Sequence, residues 1–269
     1  MTSFHEYAEI VELLWPALAT SAAVAIGASQ VGTFVQLRRE AMAALALPQV
    51  VAVGAALGLR WGWPTLGPAL VTAALAVVLL AWSKRHGANH WVLPSLFVAG
   101  LSLSFLVIAN SGAHVAELQN LFTGIDVSVA PGTAAIVVPV ILAAGIACAL
   151  LWRRWLLLAQ MPAVSELAGL HPTRWDVLFL CLLATVLLFG TSALGAVMLL
   201  AMIFLPAAAV LPWTRRVPAA LCAAPIVGLL SLVVGFVLSI EMDWPVSQSV
   251  GGVGFAALVL SHGARAARR

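Results

Sequence analysis

Apolar runs of about 17 to 25 residues follow one another along almost the whole chain. A run of that length matches the roughly 20 helical residues that cross about 30 Å of hydrocarbon. The runs fall near 13–36, 41–59, 64–82, 91–109, 132–152, 177–193, 194–213, 217–240 and 245–262. Only 9% of residues are charged and 63% are hydrophobic, with a mean hydropathy of +1.08, far from a soluble domain in which about a quarter are charged. So little polar surface cannot cover a core of that size in water. In hydrocarbon every backbone polar group must be paired within the protein, which leaves helices or a closed barrel. The runs lack ten-residue alternation, which decides for helices. The expectation is an all-α polytopic membrane protein of about nine transmembrane helices, a single domain over residues 1–269 with the bilayer as solvent.

The division between the sixth and seventh runs needs an argument. The uncharged stretch from Val177 to Thr214 would be roughly 57 Å long as one helix at 1.5 Å per residue, about twice the hydrocarbon thickness. It must fold back, and the segment Gly190 to Gly195 is the natural hinge. Charge supports the count. With the N-terminus outside, twelve basic residues fall in inner segments (Arg38, Arg39, Lys84, Arg85, Arg153, Arg154, Arg174, Arg215, Arg216, Arg265, Arg268, Arg269) and only Arg60 falls outside. Lys and Arg concentrate in cytoplasmic loops, so the expected topology is N-out, C-in. The N-terminal stretch carries Glu6, Glu9 and Glu12 and no Lys or Arg, the wrong charge for a signal-peptide n-region, so the first run is expected to stay as a helix.

Two connections exceed a simple turn. The outer one, 110–131, contains the amphipathic piece AELQNLFTGI, which suits the interface. The inner one, 158–176, reads LAQMPAVSELAGLHPTRWD; Ser165 and Glu166 before Gly169 and Pro172 fit a short helix ended by glycine and then proline. It reads either as an ordinary loop or as a docking element for a cytoplasmic partner.

No HExxH, GxSxG or Walker A sequence and no acidic pair at a helix centre is found, which argues against an intramembrane hydrolase. No run has a charge near its centre, whereas carriers driven by protons or sodium bury a coupling group there. This favours a transporter energised by a separate ATPase. Polar and soft groups within the runs are few. Gln49, beside Pro48, is placed to line a pathway opened by a proline kink or to bond a neighbouring helix. Met198 and Met202 share a helical face and suit soft ions, although core packing is the simpler role. Gly190, Gly195, Gly251, Gly252 and Gly254 are expected to allow close helix contact. His114 beside Glu117, and His5 beside the three glutamates, read more simply as solvated outer residues than as metal ligands. Cys148, Cys181 and Cys222 show no metal or disulfide spacing.

Four segments together resemble the permeases of ABC importers that carry zinc, manganese or iron. They are Gly32 through Arg38-Arg39; Leu121-Phe122-Thr-Gly; Leu194-Gly195-Ala196 through Leu205-Pro206-Ala207-Ala208; and Asp243-Trp-Pro245 before a glycine-containing last helix. The resemblance implies a homodimer in the inner membrane, a cytoplasmic ABC ATPase and an extracytoplasmic solute-binding protein. It implies no enzyme activity or cofactor in this chain and no nucleic-acid partner. It places the ATPase-coupling loop at Pro162 and Gly169, with Ser165 and Glu166 between them, although Met161, Ala163 and Ser165 depart from the family's acidic and alanine positions; the translocation pathway is expected along Gln49, Met198, Met202 and Pro206. One departure matters. The family's aspartate and histidine, four residues apart after the basic pair, are replaced by Leu45 and Gln49. Zinc and manganese sites depend on His and carboxylate. The chain is thus expected to be a low-affinity conduit, or to move a metal chelate or a softer ion. A membrane binding or regulatory protein that no longer transports is the rival from another class, and a facilitative carrier is a second.

Overall fold

The computed structural model describes residues 4–87, 89–109, 129–161, 164–165 and 169–267. Nine helices run through them: α1 (Phe4–Leu37), α2 (Ala41–Trp61), α3 (Leu66–Arg85), α4 (Asn89–Ala109), α5 (Pro131–Gln160), α6 (Pro172–Leu194), α7 (Ala196–Val210), α8 (Val217–Met242) and α9 (Val246–Ala266). Every expected run lies on its own helix. The described residues contain no strand. AELQNLFTGI, His114, Leu121-Phe122, Pro162, Glu166, Arg268 and Arg269 lie outside the described residues, as do the side chains of His5, Glu6, Glu9 and Glu12.

Six helices are long and apolar enough to cross a membrane: α1 through Leu14–Leu37, α2, α3, α5, α6 and α8. Val92–Val107 of α4 and all of α7 are shorter apolar helices. Several boundaries differ from the apolar runs. Helix α5 continues past 152 to Gln160, and α6 starts at Pro172 rather than 177. The bilayer limits apolar length, but backbone hydrogen bonding does not stop where the hydrocarbon does. Helix α7 stops at Val210, so at 15 residues it is roughly 22 Å long.

The hinge is sharper than the sequence suggests. Gly190 is still helical, and one residue, Gly195 at φ 79° and ψ 162°, separates α6 from α7. That conformation is open essentially to glycine alone. The reversal is tight enough that a Cβ on Gly190 would lie 2.5 Å from the Leu199 side chain.

Helix α1 forms the centre, with 72% of its apolar window buried against 33% for those of α3 and α5. Small residues let its neighbours approach backbone to backbone. A Cβ on Gly27 would meet the Ile141 carbonyl of α5 at 2.4 Å, and one on Gly32 the Ile203 carbonyl of α7 at 1.8 Å. Gly228 of α8 packs on Ala25 and Ser29 in the same way. Between helices in lipid such packing replaces the hydrophobic drive. Gly251 and Gly254 face α7, but Gly252 has open space around it, contrary to expectation, because α9 turns that side away from its neighbours.

The outer surfaces suit lipid: Val71, Leu75 and Val78 of α3, Leu150 of α5 and Leu230 of α8 are all exposed. Exposed tryptophans gather near helix ends, with Trp15, Trp61, Trp63 and Trp244 at one level and Trp82 and Trp213 at the other. Two such belts are what an amphipathic ring does at two membrane–water interfaces.

Candidate functional site

Helix α2 carries Leu45 and Gln49 one turn apart. Pro48 removes a backbone donor inside the helix, freeing the Ala44 carbonyl one turn back. Leu45 is half-buried and Gln49 is 6% exposed. Gly100 of α4 closes over Gln49, since a Cβ there would stand 2.8 Å from the Gln49 carbonyl carbon and 2.9 Å from its Cβ. The Gln49 Oε1 is buried and has no hydrogen-bond partner among the described residues. The interhelical bond considered for it is therefore not made through this oxygen. A buried acceptor left unpaired costs about 1–3 kcal/mol, and such a group calls for a specific explanation. A separate cavity between α2, α3 and α6 is lined by Ala52, Ala55, Ala69, Leu188 and Thr191. The Thr191 Oγ1 is also buried without a partner among the described residues. By sequence Thr191 reads only as part of the hinge, because nothing in the linear pattern brings α6 against α2.

Met198 and Met202 are 3% and 1% exposed, and Pro206 is buried. Met202 belongs to the main apolar core. Met198 borders a cavity with Ser21 of α1, Leu232 and Phe236 of α8 and Ser247 of α9. Helix α7 packs on α1, α9 and α8 and meets α2 only marginally. Among the described residues no three His, Cys, Asp or Glu side chains converge as a metal site.

The α5–α6 connection is described at Met161, Val164, Ser165 and from Gly169 onward. The Ser165 N–H donates to the Met161 carbonyl at 3.0 Å, and the Leu170 N–H donates to the Ser165 carbonyl at 3.0 Å. Gly169 adopts φ +70°, the left-handed conformation expected of a glycine that ends a helical turn. Ser165 is fully buried while Met161 and Val164 are exposed. The arms are braced below: the Arg154 guanidinium lies 5.0 Å from the Trp175 ring, and Trp155 sits edge-on to Phe179 and to Phe34, each at 5.5 Å.

A charged cluster lies at the same end. Arg38 pairs with Asp176 at the start of α6, and Lys84 at the end of α3 pairs with Glu40. Arg38 also lies 3.9 Å from Glu40, and its guanidinium sits 4.6 Å from the Phe179 ring centre. The sequence shows Arg38 as a topology signal and as part of a family segment, but not as an ion-pair partner, because Asp176 is 138 residues away.

Comparison with known proteins extends over the whole fold. The family described as the ABC 3 transport family matches residues 10–262. The chain is 22% identical to "Manganese transport system membrane protein MntC" of Halalkalibacterium halodurans, covering 90% of this chain and 84% of that protein. It is 24% identical to "Chelated iron transport system membrane protein YfeC" of Yersinia pestis, covering 92% and 82%. A chain of the solved structure of PsaBC from Streptococcus pneumoniae in complex with Fab superposes with a TM-score of 0.84 at 18% identity, covering 96% of this chain and 95% of that one.

Proposed function

The chain belongs to the ABC 3 transport family, and on that premise we propose that its cargo is a divalent metal ion, zinc or manganese. It is the membrane-spanning permease subunit of an ABC importer, multi-pass in the inner membrane, and ATP hydrolysis belongs to a partner ATPase. A solute-binding protein completes the system. In our reading residues 1–269 are one permease domain, N-out and C-in, which pairs with a second copy.

One observation carries the reading of mechanism. The helix arms on either side of the α5–α6 connection are braced by Arg154 on Trp175 and by Trp155 against Phe179, and Met161 and Val164 are exposed beyond the apolar part of α5. A partner that pushes between two braced helix arms moves both helices. ATP-driven closure of the ATPases acts on the segment from Pro162 to Gly169 and rocks the two permeases between outward and inward access. Cargo passes the helix bearing Gln49 and the helix carrying Met198, Met202 and Pro206.

Leu45 and Gln49 offer no charged or imidazole ligand, so selectivity resides in the binding protein and the permease is a weakly binding conduit. The same neutrality supports a second reading, transport of a metal chelate whose ligands travel with the ion. The test is ATP hydrolysis by this chain assembled in lipid with its ATPase and binding protein, titrated with zinc, manganese, iron and copper. Stimulation by zinc or manganese that requires the binding protein is expected. A stable complex silent to all four ions would overturn the free-ion reading in favour of the chelate, and failure to assemble with any ATPase would overturn the mechanism.

A further inference from the structure

Helix α1 ends in a rigid corner. The Arg39 N–H donates to the Gln36 carbonyl at 3.2 Å and the Glu40 N–H to the Val35 carbonyl at 2.9 Å. This is the Schellman pattern of helix termination, with Arg39 at φ 57° in the left-handed position. The Glu40 carbonyl then accepts from the Ala44 N–H at 3.0 Å, so α2 starts without slack. Three residues, 38 to 40, thus fix the direction in which α2 and its Gln49 leave the corner.

Side chains tie this corner to the α5–α6 connection. Asp176 stands in the second turn of α6, immediately after that connection, and pairs with Arg38. Arg38 lies beside Glu40, which pairs with Lys84 of α3. The series Asp176, Arg38, Glu40, Lys84 therefore links α6, the corner and α3, with charges that sum to zero. The Arg38 side chain is 5% exposed and that of Glu40 is 9%. Charges withdrawn this far from water resist separation, because removing one partner strands the other in a low dielectric. Phe179, on whose ring Arg38 stacks, is held by Trp155 of α5. Both arms of the connection thus bear on one guanidinium, directly through Asp176 and through the aromatic pair. The Arg38 Nε and Nη1 are buried and unpartnered among the described residues, as is the Trp155 Nε1. The cluster therefore has donors in reserve for a second arrangement of the same groups.

We propose that Arg38 is a positioning residue for transport: it makes the α1–α2 corner follow the α5–α6 connection, so that movement imposed there by the ATPase turns the helix that bears Gln49. The inference rests on the coupling role given to that connection above. Separating Asp176 from Arg38 would strand a guanidinium whose side chain is 5% exposed, and a three-residue corner with its backbone donors bonded transmits rotation instead of absorbing it.

The test compares wild type, Arg38→Lys, Arg38→Gln, Asp176→Asn and the Arg38→Gln/Asp176→Asn double variant, each assembled with the ATPase and binding protein in lipid vesicles. Uptake of manganese, and of zinc in parallel, is measured together with ATP hydrolysis on the same samples. Uptake per ATP hydrolysed is expected to fall at least tenfold in Arg38→Gln and in Asp176→Asn, with no further fall in the double variant. Arg38→Lys should fall between, since it keeps the charge but loses the planar stack on Phe179. Asp176 is part-exposed, 31% by side chain, so Asp176→Asn carries the test where Arg38→Gln does not assemble. Wild-type uptake per ATP in the single variants overturns the inference alone, as does a double variant worse by the product of the two. Absence of ATP-dependent uptake in wild type overturns the importer reading and the inference with it.

Discussion

The Gly32 crossing gives a quantitative test of how this bundle is held together. A Cβ at position 32 would lie 1.8 Å from the Ile203 carbonyl oxygen, 2.7 Å from its carbonyl carbon and 3.0 Å from its Cα. Carbon–oxygen contacts between packed helices settle at about 3.3–3.6 Å, so Gly32→Ala must drive α1 and α7 apart by roughly 1.5 Å. The obstacle is backbone, which cannot rotate away. A radial gap of about 0.5–1 Å already forfeits a quarter to a half of the dispersion well. The contacts at risk are those of Val31, Phe34, Leu199, Met202 and Ile203, all almost fully buried. In lipid no hydrophobic drive between helices compensates. The cost should reach or exceed the top of the usual overpacking range, about 3 kcal/mol. Gly252→Ala is the internal control: it lies inside α9 with nothing within 4 Å and should gain about 0.5–1 kcal/mol from reduced backbone entropy. The assay is retention of the monodisperse chromatographic peak after heating the detergent-solubilised protein. Gly32→Ala is expected to melt several degrees below wild type and Gly252→Ala at or above it. Equal melting of the two variants would refute the claim that backbone contact at the α1–α7 crossing supports the fold.

Three further outcomes follow from single contacts. Arg39→Gly should raise the melting temperature, by an amount matching about 1 kcal/mol, because Arg39 holds a left-handed φ at a helix terminus where glycine carries no Cβ penalty; a lower melting temperature would mean that the exposed Arg39 side chain itself stabilises the corner. Ser261→Ala should cost about 1–2 kcal/mol in the same assay, since the Ser261 hydroxyl accepts from the Trp213 Nε1 at 2.7 Å and donates to the Ala209 carbonyl at 2.6 Å, tying α9 to the end of α7. Gln49→Leu removes a buried acceptor without a partner, so it should leave stability unchanged or raise it by about 1 kcal/mol while altering transport rate or metal selectivity in reconstituted vesicles. Wild-type transport would return Gln49 to a packing role.

What the sequence determined is what hydrocarbon enforces locally. Run length and missing charge made the chain all-helical, the excess length of 177–214 demanded a reversal, and a glycine supplied it, because these constraints act on each segment without reference to its neighbours. The polarity of positions 45 and 49 was equally legible, since the chemistry of a side chain does not depend on its surroundings. Tertiary structure decided everything that depends on which faces meet. It took α5 to Gln160 and started α6 at Pro172, because helices braced by Trp155, Phe179, Arg154 and Trp175 gain by continuing beyond the apolar run. It buried Met198 and Met202 in the core against α1, α8 and α9. It turned a basic pair that reads as a topology signal into a buried ion-pair series across three helices. Periodicity and charge specify how a segment meets its solvent; a partner 138 residues away is fixed only when the helices pack.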